Sequence, residues 1–282
     1  LILKRKTKTL TTKDNGRSSD AVSPNFVYGC LGGCMESYCY VGRYNNDKVY
    51  INENTEDILE SIHSWAEQKQ WPRVPTQTDD KYYVIEIGCS TDVPLHLKHY
   101  DWQKVFDFFN EYYRVKSTFA TKYPSMMVRK LKDYELEPEK HRIRVSLMPQ
   151  VYSDILEPNT ELIESRISAI PFLQESFEVH VNFSPIVYHE GWLEEYEKLF
   201  KMISHLEFKS ECIFLTYNDV QYKRNSDIVN ELCWKPTIQE YKNSNYADNN
   251  IRYKWNLKND MISEFKNLYS KYFNLSTIRY IF

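Results

Sequence analysis

The sequence predicts an α/β protein built on a parallel β-sheet, and three observations carry that prediction. Short runs rich in β-branched and aromatic residues recur along the 282-residue chain, and segments with apolar residues at helical spacing lie between most of them. The run from Lys81 to Ile87 stops at Gly88 and delivers four polar or reactive residues in succession, Cys89, Ser90, Thr91 and Asp92. Strands that alternate with helices imply parallel pairing. Closed or partly closed into a barrel, such a sheet gathers its reactive groups at the carboxyl ends of its strands.

Residues 1–23 are polar and basic without a sustained apolar period and are expected to form an arm, with a single catalytic domain over 24–282. The chain opens on Leu1 rather than methionine, consistent with a segment preceding it. From Glu56 to about Gln68, Ile58, Leu59, Ile62 and Trp65 recur at helical spacing. Thr55 is the expected N-cap, and Glu56 and Asp57 fall in the first turn, where the helix dipole favours negative charge. After the strand at 81–87, further strands are expected at 117–121, 142–147, 177–183 and 212–216, with helices around 102–113, 162–174 and 193–205. Residues 219–253 turn polar and rich in Asn, Lys and Tyr and read as a loop or hairpin insertion. A helix over 258–272 and a strand over 277–282 close the chain.

With 42% hydrophobic and 27% charged residues, the composition is that of a soluble globular protein. No apolar run approaches the length of a membrane span. The formal charge of −3 excludes a uniformly basic nucleic-acid binder. Phosphate contacts depend on local cations, however, and Lys4-Arg5-Lys6, Arg129-Lys130-Leu131-Lys132, and Arg142 with Arg144 form basic stretches. The 23 tyrosines offer stacking platforms for bases, although most serve packing.

Cys30, Cys34 and Cys39 crowd a Gly-rich stretch in a way that ordinary folding does not demand. Structural zinc takes four ligands, usually as two close pairs, and no second pair follows. The remaining cysteines, Cys89, Cys212 and Cys233, lack the spacing of a disulfide framework, and no secretory segment precedes them. This cysteine usage fits a reducing cytoplasm. Three thiolates on one loop suit a soft metal centre, and an iron-sulfur cluster so held keeps one iron open.

Three cysteines on a loop with an aromatic residue beside the last resemble the cluster loop of the radical S-adenosylmethionine (SAM) enzymes. Further stretches narrow the resemblance to the spore photoproduct lyase family: Val49-Tyr50-Ile51-Asn52, Ile85-Glu86-Ile87-Gly88-Cys89-Ser90-Thr91-Asp92, Thr121-Lys122-Tyr123, Arg144-Val145-Ser146, Leu156-Glu157-Pro158-Asn159-Thr160 with Arg166, Ser184-Pro185-Ile186-Val187-Tyr188-His189-Glu190-Gly191-Trp192, and Ile278-Arg279-Tyr280-Ile281-Phe282. The likeness runs from about residue 23 to the end. One departure is that Cys34 and Cys39 enclose two more residues than the family has between its second and third cysteines; loop closure depends only weakly on length.

The resemblance implies a partial (β/α)6 TIM-type barrel with a C-terminal hairpin insertion and a terminal helix and strand. It implies that Cys30, Cys34 and Cys39 hold a [4Fe-4S] cluster, that SAM chelates its open iron, and that an external flavodoxin- or ferredoxin-type donor reduces it. The 5′-deoxyadenosyl radical so released would act on DNA containing a methylene-bridged thymine dimer. Cys89 would return a hydrogen atom to the thymine radical, with Tyr38 and Tyr40 as relay tyrosines. Ser90, Thr91, Lys122, Ser146 and Ser184 fall where the family contacts SAM. Tyr241 and Lys242 fall in the hairpin that meets DNA, where Glu240 replaces the expected basic character. Two rivals stay open at this level: a radical SAM enzyme that modifies a base in DNA or RNA, and a non-catalytic zinc-stabilised nucleic-acid-binding protein.

Overall fold

The structure is a computed structural model that describes residues 1–32, 37–39, 48–241 and 250–282. Its centre is a sheet of eight strands. In chain order these are β1 (Lys13–Asp14), β2 (Ala21–Val22), β3 (Tyr83–Glu86), β4 (Val115–Thr121), β5 (His141–Leu147), β6 (Glu178–Ile186), β7 (Lys209–Phe214) and β8 (Ile278–Ile281). The spatial order follows the chain, from β1 at one edge to β8 at the other. Every pairing from β2 onward is parallel, and only β1 runs antiparallel to its neighbour. Parallel neighbours need crossovers, which α1 (Thr55–Glu67), α2 (Trp102–Glu111), α3 (Pro124–Val128), α4 (Gln150–Leu156), α5 (Ile163–Leu173) and α6 (Trp192–Ile203) supply. Six strand-helix units can be traced, the last between β7 and β8, as expected of a partial barrel. The two edges approach each other: the Arg17 guanidinium, from the β1–β2 turn, stacks 4.0 Å over the ring of Phe282 just past β8.

Burial follows the predicted apolar faces. The stripe Trp192, Tyr196, Leu199, Phe200 and Ile203 on α6 is buried. It packs its rings against Phe183 of β6 and Phe265 of the late helix α9 (Trp255–Tyr269). Burying a large apolar side chain of this kind contributes about 1.5–3 kcal/mol. Helix α1 and its cap begin one residue earlier than expected. Asn54 holds the N-cap position, while Thr55 is the first helical residue and its hydroxyl meets Tyr100 Oη at 2.6 Å.

Three expectations are corrected. Residues 1–23 are no free arm. They supply β1 and β2, a further strand β9 (Ile2–Arg5) and a half-buried anchor, Asp20, which accepts from the buried Arg73 at 2.8 Å. Strand β9 pairs in parallel with β10 (Val49–Asn52), and β10 pairs antiparallel with β11 (Val27–Tyr28). The insertion at 219–253 is more than a hairpin. It opens with two short helices, α7 (Asp219–Arg224) and α8 (Asp227–Cys233), before β13 (Gln239–Tyr241) and β14 (Asn250–Tyr253) pair antiparallel beside β12 (Thr216–Asn218). An Asn218–Gln221 capping box starts α7.

The third correction concerns charge. Arg142 and Arg144 do not face a partner; both are buried inside the curled sheet. Arg142 donates to Glu178 and Asp79, and Lys116 bridges the same two carboxylates. Arg144 meets Glu86 and Glu211, and Arg279 reaches Glu211 at 2.6 Å. Four cations thus face four carboxylates, so the interior is balanced in charge. A buried pair of this kind is costly to break, because the remaining partner is left uncompensated.

Candidate active site

The cysteine loop is mounted on the antiparallel pair β11–β10, whose ends lie one strand spacing apart, with Val27 opposite Ile51 and Tyr28 opposite Tyr50. A loop between such close ends can accept extra residues at small entropic cost. Gly29 leaves β11 with φ of 99°, a left-handed conformation that only glycine adopts without strain, and its N–H donates to the Ser90 carbonyl at 3.0 Å. That bond ties the first cysteine loop to the segment following β3. The Gly32 N–H points at Cys30 Sγ, 3.2 Å away.

Residues from five successive segments converge on one cavity of about 230 Å³ at the carboxyl ends of the strands. Cys30, Tyr38 and Cys39 come from the loop. Gly88, Cys89, Thr91 and Asp92 follow β3, Ala120, Lys122 and Tyr123 end β4, Ser146 lies on β5, and Asn182 and Ser184 lie on β6, with Glu157 behind them. Eight predicted site residues are therefore together: Cys30, Tyr38, Cys39, Cys89, Thr91, Lys122, Ser146 and Ser184. Ser90 is not in the lining; it serves the site through the carbonyl that accepts from Gly29. Tyr241 sits apart on β13, 59% exposed. Cys34, Tyr40 and Lys242 lie outside the described residues.

Position in this cavity sets the chemistry of each group. Cys89 lines the cavity, and desolvation by the surrounding protein together with Glu86 pushes its thiol up to about 11. At neutral pH it keeps its S–H, the state a hydrogen-atom donor needs. Alkylation of Cys89 by iodoacetamide is therefore expected to stay slow from pH 7 to 9 and to rise through pH about 11, as followed by mass spectrometry of the Cys89 peptide. Burial and the neighbouring Asp92 push Cys30 up to about 12, so a metal must displace its proton to bind. Burial also raises Asp92 to about 6 against the opposing pull of Lys122; its carboxylate accepts from Thr121 Oγ1 at 2.7 Å and the Lys122 N–H at 2.8 Å. Lys122 Nζ stands 3.6 Å from Glu157, which Arg166 fixes at 2.7 Å while also donating to the Ser146 carbonyl.

Tyr38 is held by the insertion. Its hydroxyl donates to the Thr216 carbonyl at 3.2 Å, its carbonyl accepts from Gln221 Nε2 at 2.8 Å, and its ring stacks on Tyr217. Burial raises its phenol far above the ordinary range, so it too keeps its hydrogen. Gly88 leaves no room for a side chain, because a Cβ there would lie 2.9 Å from Phe119 Cβ. Gly88→Ala is expected to cost about 1–3 kcal/mol, read as a lowered thermal midpoint.

The lining fits the implied cofactors. Thiols stand at one end, with a lysine ammonium and hydroxyl or amide groups along the wall. Three lining atoms, Thr91 Oγ1, Asn182 Oδ1 and Glu157 Oε1, are buried without a hydrogen-bond partner among the described residues, although the Lys122 ammonium stands near the last. Each such atom costs about 1–3 kcal/mol when left unmet, which a polar occupant would recover. Asn182 escaped the sequence reading, although its signal was present: Asn182 and Ser184 interrupt an apolar strand at a spacing of two and so share one face.

The family model described as spore photoproduct lyase matches residues 4–282. The chain belongs to the spore photoproduct lyase family. The spore photoproduct lyase of Bacillus subtilis (strain 168) is 27% identical over 204 residues, covering 70% of this chain and 54% of the relative. That of Geobacillus sp. (strain Y412MC61) is 24% identical over 220 residues, covering 74% and 59%. The chain thus spans somewhat more than half the length of these curated relatives. Among solved structures, a spore photoproduct lyase complexed with dinucleoside spore photoproduct superposes with a TM-score of 0.81 at 18% identity, covering 100% of this chain and 82% of that one. A mutant spore photoproduct lyase with bound AdoMet and dinucleoside spore photoproduct gives 0.82 at 20% identity, with the same coverage. At these identities the superposition speaks for the fold, and the partial barrel of this family member is that of spore photoproduct lyase structures. Among the described residues no helix is long and apolar enough to cross a membrane.

Proposed function

We propose that this chain is a radical SAM lyase that restores two thymines from a methylene-bridged thymine dimer in DNA. The observation that carries the proposal is the convergence of Cys89, Cys30, Cys39 and Lys122 on one cavity at the strand carboxyl ends, within a chain of this family. Cys30 and Cys39, with Cys34, would hold a [4Fe-4S] cluster, and Lys122 would meet the SAM carboxylate. Loaded with both, such a site supplies a carbon-centred radical able to abstract one hydrogen atom from a thymine. The chain's own residues do the rest. With substrate seated, the cavity would exclude water from the reacting atoms, Cys89 would present an intact S–H to the substrate radical, and Tyr38 would restore that hydrogen, with Tyr40 as its expected partner. Tyr241 and Lys242 would contact DNA, and a flavodoxin- or ferredoxin-type protein would supply the electron.

The structure removes one objection to a DNA substrate. Glu240, which would repel a phosphate, is paired with Arg252 at 3.1 Å, so this part of the hairpin is neutral. Elemental analysis of anaerobically purified protein tests the cofactor half of the proposal. Iron and sulfide in equal amounts, with 5′-deoxyadenosine formed on adding SAM and dithionite, are expected. Zinc without sulfide would overturn it in favour of a non-catalytic role. A base of altered mass in treated DNA, in place of thymine, would instead favour base modification.

A further inference from the structure

We infer that Asn182 is a cofactor-specificity residue that accepts a hydrogen bond from the ribose diol of SAM; the inference rests on the cofactor reading above. Its side-chain oxygen is buried, lines the cavity and has no hydrogen-bond partner among the described residues. A structural asparagine in a strand spends that oxygen on a neighbouring donor, and this one does not.

The sheet dictates what it faces. Asn182 and Ser146 are register partners on the adjacent parallel strands β6 and β5, so they stand side by side, roughly 5 Å apart at the backbone. Phe183, between Asn182 and Ser184, points the other way and packs on Tyr196, Phe200 and Phe265, which fixes Asn182 and Ser184 toward the cavity. Around the cavity the order is thiols, then Lys122 just past β4, then Ser146 on β5, then Asn182 on β6. With the amino-acid end of SAM held at the thiols and Lys122, its nucleoside extends one to two strand spacings further, onto Ser146 and Asn182. A hydroxyl beside an amide oxygen at neighbouring positions suits two vicinal hydroxyls: Ser146 can serve one, and the other donates to Asn182 Oδ1.

Calorimetric titration of the anaerobically reconstituted chain with S-adenosylhomocysteine and its 2′-deoxy and 3′-deoxy analogues tests this without turnover. The wild type is expected to bind the parent compound roughly tenfold more tightly than one of the two analogues, the size of one buried hydrogen bond. Asn182→Ala is expected to lose that factor for the parent compound and to bind the analogue as the wild type does. Asn182→Asp keeps an acceptor and should retain the preference. Asn182→Ser, too short to reach, should behave as the alanine variant does and replaces it if that variant fails to fold. A wild type blind to both deoxy changes, or an Asn182→Ala protein that weakens overall yet keeps the preference, would overturn the assignment. A wild type that binds neither SAM nor S-adenosylhomocysteine would instead sink the cofactor reading, and this inference with it.

Discussion

Cys89→Ala is expected to lower the yield of restored thymine by on the order of 10²-fold, the lower end of what removal of one positioned hydrogen-transferring group costs, while 5′-deoxyadenosine still forms. The thiol lies in the same cavity as the cluster-loop cysteines, and burial keeps it protonated well above neutral pH. Alanine removes the transferable hydrogen and little else, since among the described residues no side-chain hydrogen bond is made by Cys89. Thermal stability should therefore stay within about 0.5 kcal/mol of wild type, as for surface substitutions. Substrate radicals left without a donor would end as altered products, visible by liquid chromatography and mass spectrometry. A Cys89→Ala protein that still yields clean thymine would remove Cys89 from the reaction.

Arg144→Met is expected to cost about 3–5 kcal/mol, the range for breaking a buried charge cluster from one side. Arg144 lies between two interior carboxylates, Glu86 and Glu211, and donates to Thr118 Oγ1 as well. Burial raises Glu86 above the ordinary carboxylate range, offset only in part by Arg144. Burial also opposes ionisation of Glu211, but Arg144, His180 and Arg279 together hold it down to about 2. A carboxyl depressed in the folded state stabilises it above the unfolded value and loses that contribution as pH falls toward the folded one. The wild type should therefore lose this stabilisation progressively from pH about 4.5 down to about 2. In Arg144→Met, Glu211 retains Arg279 but Glu86 loses the cation paired with it, so the variant should be weakened already at neutral pH, with a shallower loss below pH 4.5. Denaturant titrations at several pH values check both parts. The site should suffer too, because Glu86 Oε1 accepts the Gly88 N–H at 3.0 Å beside Cys89.

Much of this architecture was legible in the sequence. The central strands and the long helices announce themselves by period, and the cysteine loop and the Cys89 segment by residue type. What the sequence concealed has physical reasons. Strand β9 is mostly exposed and β1 wholly so, so neither needs an apolar face; backbone pairing holds them. Helices α7 and α8 bury only Gln221, Val229 and Cys233, too few to show a helical period in a polar segment. Arg142 and Arg144 look like a basic surface because a strand whose inner face carries balanced charge reads as polar, and their carboxylate partners lie 36 to 67 residues away. Asn182 was missed because its sequence signal, a polar pair with Ser184 on one strand face, does not reveal the unmet oxygen that gives it meaning.

The most direct test is an anaerobic repair assay of the iron-reconstituted chain with SAM, dithionite and DNA carrying spore photoproduct, scoring thymine and 5′-deoxyadenosine together. Restored thymine, lost in Cys89→Ala, is the predicted result. Sustained 5′-deoxyadenosine formation with the photoproduct left intact would contradict it, leaving a working radical centre made for another substrate.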